Sequence, residues 1–215
     1  MDIALILCAL APFVGAALIP MIHRAFPEAA GWIAALVPLA AFVSLLQFLP
    51  AVAEGQQFIG GFGWGDLHGL GLTFRLDGLS LTFALAISGI GAFILVYSGI
   101  YLHGHGHRGR FLSFLLMFMG AMQGLVLSDN LVALYAFWEL TSVTSFLQQF
   151  DAAKDPQRVT LDCAHLSFVD YSAIAALKTL RERYAKAGKH LKVVHLSARC
   201  RQLLRRAGVQ AVTRG

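Results

Sequence analysis

Lysine is absent from this 215-residue chain until Lys154, and charge of either sign is scarce before that point. Residues 1–150 carry four basic and seven acidic residues, whereas residues 151–215 carry 13 basic and five acidic ones. Only 13% of the whole chain is charged and 57% is hydrophobic, while ordinary soluble domains are about 25% charged. The sequence therefore predicts an apolar part followed by a short basic tail. Because the basic residues sit beside a membrane segment, the basic pI does not indicate a nucleic-acid partner.

Cysteine is also scarce. Cys8, Cys163 and Cys200 are too far apart to suggest a zinc motif or a disulfide framework, and we predict that they are small buried apolar residues. The glycines of "GLGLTFRLDG" lack a P-loop lysine and a strand-turn-helix context. No nucleophile and base pair stands out, so we expect neither enzymatic activity nor a metal or cofactor.

Residues 1–150 contain several long apolar runs. About 20 apolar residues cross a hydrocarbon core, and five stretches approach that length: residues 3–22, 30–52, 79–102, 111–127 and 131–147. The first reads as a retained span, because no basic leader and cleavage site accompany it. Arg24 lies in the first connection, Arg108 and Arg110 lie in the third, and basic residues follow the fifth stretch, whereas the second connection has three acids and one arginine. This distribution predicts an outside N-terminus and a cytoplasmic C-terminus.

The connections between these stretches are distinct in composition. The second, "EGQQFIGGFGWGDLHGLGLTFRLDGLS", is rich in glycine and ends in alternating residues, which favours an extracytoplasmic hairpin. The third, "HGHGHRGR", holds His103, His105 and His107. Three imidazoles could bind a metal, but the intervening glycines fix no geometry, so a solvated loop is the favoured interpretation.

Glu139 lies near the centre of the fifth stretch, within "YAFWELTS". A charged side chain there costs roughly 2.5 to 3.5 kcal/mol on insertion scales, so an ionisable residue in a span is a functional candidate by default. Loading and releasing a proton is the favoured role. The alternative is that Glu139 stays protonated or hydrogen-bonds to neighbouring Ser and Thr side chains and only packs.

In the basic tail the spacing of apolar residues changes from that of long membrane spans to that of short strands and helices. "RVTLDCAHLSFVD" and "HLKVVHLS" read as strands, "SAIAALKTLRERYAKAG" and "ARCRQLLRRAG" as helices, and "VQAV" as a third short strand. Gly188 and Gly208 are expected to stop the two helices. Alternating strands and helices predict a small α/β layer with parallel strands.

Two resemblances attach to these motifs. "FRLDGLSLTFALAISGIGAFILVYS" and "RFLSFLLMFMGAMQGLVLSDNLVALYAFWELTS" resemble the N-terminal part of the A-type subunit of Mrp-type multisubunit Na+/H+ antiporters, and more distantly the antiporter-like subunits of respiratory complex I. This resemblance implies that Glu139 belongs to a proton pathway. It also implies a partner lysine on later helices, which residues 1–147 lack, so the chain is not expected to transport alone.

The tail is similar to the STAS domain, especially the type at the cytoplasmic end of SulP anion transporters. In that resemblance "FVDYSAI" places Ser172 at the phosphoacceptor position of anti-sigma factor antagonists. Tyr171 and Ala173 depart from the pattern, and an N-cap of the following helix is the favoured role of Ser172. The strands that begin a STAS domain are missing upstream, which predicts an open strand edge and a partial domain.

The two patterns overlap at Ser145, Phe146 and Leu147, as expected of two chains spliced together. The prediction is a mainly α-helical membrane domain over residues 1–147 with about five transmembrane helices, then a partial α/β STAS-like domain over 148–215. The expected surroundings are the bacterial inner membrane, its lipid, protons, monovalent cations and other antiporter subunits. The alternatives are a membrane-tethered regulatory module and a chimeric chain without selected function.

Overall fold

The structure is a computed structural model that describes residues 3–63, 71–102, 108–150, 152, 154–164 and 171–206. The chain divides into two compact units, Met1–Thr144 and Ser145–Gly215. The first unit contains helices α1 (Ile3–Ala25), α2 (Ala30–Leu46), α3 (Leu49–Ala53), α4 (Gly78–Tyr101) and α5 (Arg108–Leu127), strands β1 (Phe58–Gly63) and β2 (Gly71–Leu76), and most of α6 (Leu131–Gln148). The second contains the end of α6, strands β3 (Arg158–Asp162) and β4 (His190–Val194), and helices α7 (Tyr171–Lys186) and α8 (Ala198–Arg206).

The apolar helices confirm the predicted fold class, with differences in detail. Helices α1, α4 and α5 are long and apolar enough to cross a membrane, and the apolar runs Ala30–Leu46 and Leu131–Leu147 are shorter. The predicted second span, residues 30–52, is in fact two helices. Pro50 lies in the first turn of α3, where its missing N–H leaves no helix hydrogen bond unmade. That α2 and α6 also cross the membrane stays a prediction.

Helix α1 contains two prolines, and α5 compensates for one of them. Pro20 has no N–H to donate to the carbonyl of Ala16, four residues earlier. The hydroxyl of Ser113, on α5, donates a hydrogen bond to that carbonyl. In a bilayer an unsatisfied carbonyl costs several kcal/mol, so this bond lets α1 keep a proline inside an apolar bundle.

Helices α2 and α4 meet at two glycines. A Cβ atom built on Gly31 would lie 2.5 Å from the Cα of Gly99, and one built on Gly99 would lie 2.7 Å from the Cα of Gly31. Real Cβ atoms do not approach backbone that closely. The two backbones therefore touch at this crossing, as small residues allow in membrane helix pairs.

The glycine-rich connection forms the predicted hairpin. β1 and β2 pair antiparallel from Phe58 opposite Leu76 to Gly63 opposite Gly71. Phe74 and Leu76 are fully buried against the apolar helices, so one face of β2 belongs to the core. On which side of a membrane the hairpin lies stays a prediction.

Asp77 connects the hairpin to α4 and caps the helix. Its Oδ1 accepts a hydrogen bond from the Ser80 N–H at 2.9 Å, and the Ser80 hydroxyl accepts one from the Asp77 N–H at 2.8 Å, which completes a capping box. The bond from the Ser80 backbone lowers the pKa of the Asp77 carboxyl. The ionised form is therefore the one that stabilises the fold.

We expect Asp77→Ala to lower the free energy of unfolding by about 1 kcal/mol, because the cap is lost. Because the folded pKa is lowered, the cap contributes fully above the unfolded pKa, about 3.9, and its contribution is lost as the pH falls through the folded value. Thermal unfolding in detergent at pH 7 and pH 3 measures both effects. The cost of the substitution should shrink at pH 3; an equal cost at both pH values would contradict the role of the charge.

The second unit is a small α/β arrangement. β3 and β4 pair in parallel, from Arg158 opposite His190 to Asp162 opposite Val194, which confirms the predicted parallel strands. The core of this unit is formed by residues from both strands and both helices: Leu161, Cys163, Ile174, Leu177, Val193, Leu196, Cys200 and Leu204. Phe146, near the end of α6, packs against this core.

Three predictions concern the ends of the helices and strands in this unit. Gly188 ends α7 with a positive φ of 69°, which confirms it as a helix stop. α7 is described from Tyr171 onward, directly after residues outside the described ones; the N-cap role of Ser172 stays a prediction. The helix stop at Gly208 and the strand at residues 209–212 lie outside the described residues.

Candidate functional site

The candidate site is α6, the helix that carries Glu139, and its supports begin at the turn before it. The Arg75 Nε atom lies 2.6 Å from Asp129 Oδ1, and the Asp129 N–H donates to the Thr73 carbonyl at 2.9 Å. Ser128 forms an isolated antiparallel bridge with Phe74. Strand β2 therefore holds the turn between α5 and α6 through main chain and side chain.

Asn130 fixes the first turn of α6. Its Oδ1 accepts a hydrogen bond from the Ala133 N–H at 2.8 Å, which is an N-cap. Its Nδ2 donates to the Gly71 carbonyl and to the Thr73 hydroxyl, both at 2.7 Å. One amide side chain thus caps the helix and ties it to the hairpin. These bonds account for the "SDN" sequence before α6.

Phe137 anchors the middle of α6. Its side chain is 6% exposed, and its ring lies 6.3 Å from that of Phe13 and 6.1 Å from that of Phe74. It sits directly on Gly124 of α5, where a Cβ atom would lie 2.4 Å from the ring. The neighbouring Trp138, in contrast, is 58% exposed.

We expect Phe137→Ala to cost about 3 kcal/mol of stability, which is the low end of the range for a buried phenylalanine. The low end applies because lipid, rather than water, would contact the apolar surface that the substitution exposes. Trp138→Ala is the matched control and should cost less than about 1 kcal/mol, the usual scale of an exposed site. Unfolding in detergent with increasing SDS measures both. Equal losses for the two variants would contradict the anchoring role of Phe137.

Glu139 is half-buried and lies midway along α6. Across the residues that the structure describes, its carboxylate has neither a hydrogen bond nor an ion pair. Glu139 follows the anchored Phe137 by two residues, and no cation among the described residues pairs with its carboxylate. That Glu139 takes up and releases a proton stays a prediction.

The hydroxyl groups near Glu139 are used elsewhere. The Thr141 hydroxyl donates to the Trp138 carbonyl at 2.6 Å, and the Thr144 hydroxyl donates to the Leu140 carbonyl at 2.7 Å. The Ser142 hydroxyl also lies 3.5 Å from the Trp138 carbonyl. The alternative in which these neighbours bind the Glu139 carboxyl is therefore not what the structure shows.

Two buried polar residues were missed in the sequence. Arg108 was predicted in a solvated loop, but it begins α5, is 5% exposed and donates from Nη2 to the Glu28 carbonyl at 3.2 Å. That prediction is wrong for residues 108–110. Gln123 is fully buried in α5, and its amide atoms have no partner in the described part of the chain. A single amide in the apolar run "GAMQGLVL" was the available signal.

The other predicted site residues are placed only in part. His103, His105 and His107 lie outside the described residues, and within the described ones no group of three or more His, Cys, Asp or Glu side chains could hold a metal. Ser172 is the second residue of α7. Cys8, Cys163 and Cys200 are buried free thiols, as predicted, and burial raises the pKa of the Cys163 thiol.

Two family patterns match parts of the chain. The pattern of "NADH-Ubiquinone oxidoreductase (complex I), chain 5 N-terminus" matches residues 64–112, and that of the STAS domain matches residues 131–214. The STAS match thus begins at the start of α6 and includes Glu139.

Individual relatives are more specific. The chain is 42% identical over 137 residues to the A1 subunit of the Na(+)/H(+) antiporter of Staphylococcus aureus and equally to that of Staphylococcus haemolyticus. These alignments cover 63% of this chain and 17% of each relative, so the chain spans about a sixth of their length.

Among solved structures, the Mrp complex from Dietzia sp. DQ12-45-1b matches with a TM-score of 0.56 and 32% identity, over 66% of this chain and 15% of the matched one. The archaeal membrane-bound sulfane sulfur reductase matches with a TM-score of 0.56 and 20% identity, over 84% and 26%; this likeness concerns the fold alone. Both predicted resemblances, to the A-type subunit of Mrp antiporters and to the STAS domain, are confirmed.

Proposed function

We propose that the first unit works as part of the membrane domain of a monovalent cation/proton antiporter, and that Glu139 is its proton carrier. The observation that carries this proposal is the half-buried Glu139 carboxylate, midway along an apolar helix and without a partner in the described residues. The similarity to the staphylococcal A1 subunits supports the choice of protons and monovalent cations.

A proton carrier needs a nearby charge to couple its protonation to cation movement. The first unit contains no lysine. Arg75 is paired with Asp129 at the hairpin, and Arg108 is buried against the Glu28 carbonyl. Arg24 lies in the last turn of α1 and Arg110 in the first turn of α5, whereas Glu139 lies midway along α6. We therefore infer that the partner cation of Glu139 comes from another polypeptide, and that the chain does not exchange ions alone.

Fragment complementation tests this function. A staphylococcal A1 subunit that lacks the segment matched by this chain would be expressed with its other subunits in cells without endogenous Na+/H+ antiporters, with and without this chain. We expect this chain to restore Na+/H+ exchange in inverted membrane vesicles, and purified chain alone in proteoliposomes to show none. If a chain that reaches the membrane restored no exchange, the proposed function would be refuted. Glu139-dependent flux through the chain alone would refute the inference that it does not exchange ions by itself.

The membrane location follows from the apolar helices. We propose the bacterial inner membrane with the N-terminus outside and the second unit in the cytoplasm, which the distribution of arginines supports. Cysteine labelling of intact cells checks the orientation. A cysteine at exposed Glu54 should react with an impermeant maleimide, and one at exposed Lys192 should react only after lysis.

A second candidate function rests on the second unit, which has its own core. In this alternative it is a regulatory STAS module tethered by the helices, related to those of SulP transporters, with Ser172 as phosphoacceptor. The first turn of a helix favours a phosphate group, and Ser172 lies there. Phosphopeptide mapping of protein purified from its source cells tests this candidate, with Ser172→Ala as control. A phosphate on Ser172 would support it, and an unmodified Ser172 would remove it.

The third alternative is a chimeric chain without selected function. It rests on the junction, because the two units divide at Ser145 and the antiporter and STAS patterns overlap there. Sequencing single long DNA molecules across the codons for residues 131–170 tests it. An in-frame junction in every molecule would remove the assembly-error form of this alternative.

A further inference from the structure

Strand β3 presents one long edge that no described strand covers, since it pairs with β4 alone. The Gln157 carbonyl accepts from the His190 N–H at 2.9 Å, and the Cys163 N–H donates to the Val194 carbonyl at 3.0 Å. Successive residues of a strand direct their main-chain groups to opposite edges. The main-chain groups of the intervening even-numbered residues, Arg158, Thr160 and Asp162, therefore point away from β4.

The side chains of β3 divide in the same way between its two faces. Arg158, Thr160 and Asp162 are exposed on one face. The Asp162 Oδ1 atom lies 2.8 Å from His195 Nδ1 and accepts from the Ala164 N–H at 2.9 Å, so a second copy would share this carboxylate. Val159 and Leu161 are half-buried on the other, where Leu161 packs against the core of the unit. An edge that is open among the described residues and has this alternation is a template for another strand.

The sequence of β3, "RVTLD", is complementary to itself when it is paired antiparallel about Thr160. Arg158 then lies opposite Asp162 of the second copy, Val159 lies opposite Leu161, and Thr160 lies opposite Thr160. We propose that this edge is a homodimer interface, in which β3 strands of two copies of the chain join the two sheets into one.

The main-chain geometry selects this register. Arg158, Thr160 and Asp162, whose N–H and C=O groups point outward, become the hydrogen-bonded pairs, which gives about six main-chain hydrogen bonds at two for each pair. A two-fold axis at Arg158 or Asp162 would place like charges opposite each other, which is destabilising. An axis at Val159 or Leu161 would leave two hydrogen-bonded pairs within β3 instead of three and would not place Arg158 opposite Asp162.

Disulfide trapping of the full chain in lipid nanodiscs tests the register. In a hydrogen-bonded antiparallel pair the Cα atoms lie about 5.5 Å apart, within disulfide range, so Thr160→Cys should form a covalent dimer under mild oxidation. Lys192→Cys is the matched control, because Lys192 is the exposed neighbour of Thr160 on β4. Its symmetry mate would lie three strand spacings away, about 14 Å, beyond disulfide reach.

We expect Thr160→Cys to crosslink at least about tenfold faster than Lys192→Cys, given that difference in reach. The wild type should not crosslink, since Cys8, Cys163 and Cys200 are buried. Equal rates for the two variants, or a monomeric wild type by light scattering, would overturn the interface.

A charge-swap experiment tests the pairing itself. Arg158→Asp and Asp162→Arg should each weaken the homodimer about tenfold or more, because each places two like-charged pairs across the interface. A mixture of the two variants should form heterodimers as readily as the wild type, since every pair is then complementary. Failure of the mixture to associate, with both variants folded by circular dichroism, would refute the pairing. The interface is independent of the antiporter function.

Discussion

Glu139→Gln should abolish the Na+/H+ exchange that we expect this chain to restore to a truncated antiporter. The amide keeps the size and hydrogen-bonding capacity of the carboxyl but cannot bind and release a proton. Loss of a group that transfers protons lowers rates by about 10² to 10⁴-fold, so exchange should fall below roughly one hundredth of the wild-type rate. Sodium-induced dequenching of a pH-sensitive dye in inverted vesicles measures it.

Glu54→Gln is the matched control. Glu54 is the only other glutamate between Glu28 and Glu182, and it is exposed just after α3. The substitution removes the same charge by the same chemistry and should leave exchange unchanged. If Glu139→Gln supported exchange as well as Glu54→Gln does, Glu139 would not be the proton carrier.

Gly99→Leu should prevent the membrane bundle from assembling. Even a Cβ at this position would lie 2.7 Å from the Cα of Gly31, and backbone cannot yield as a flexible side chain can. Overpacking usually costs about 1 to 3 kcal/mol, and separating two helix backbones should exceed this, to about 4 kcal/mol or more. That is a large part of a typical stability of about 5 to 15 kcal/mol.

Gly78→Leu provides the comparison for this prediction. Gly78 begins the same helix, α4, and a Cβ there would meet nothing within 4 Å. We expect this variant to elute as a monodisperse peak in detergent, while Gly99→Leu aggregates or is degraded. Normal elution and an unchanged melting temperature for Gly99→Leu would show that the two helices do not touch at this point.

Some of this architecture could be predicted because the responsible signals are local. The hairpin follows from glycines and alternating residues in one connection, and the end of α7 follows from Gly188. The backbone crossing could not be predicted, because Gly31 and Gly99 lie far apart in the sequence. The residues around each glycine do not indicate that the other one contacts it. The burial of Arg108 was missed for the same reason, since its acceptor is a main-chain carbonyl on a distant turn.

In the candidate site, too, local features could be predicted from the sequence and contacts between distant residues could not. Glu139 could be singled out by its charge alone, because a carboxyl group in an apolar run is conspicuous. The role of Phe137 could not, because "FW" contains two adjacent aromatic residues and only the fold shows which one is buried. The supports of Asn130 likewise depend on a hairpin that lies more than 50 residues earlier.

The hydrogen bond from Ser113 to the Ala16 carbonyl also has a consequence for biosynthesis. Its two residues are 97 positions apart, so at about 5 to 20 residues per second the ribosome needs roughly 5 to 20 s to make the donor after the acceptor. During that interval α1 has left the ribosome with a carbonyl whose partner does not yet exist. The insertion machinery or local water must shield it, and α1 can settle into its final place only after α5 has been translated.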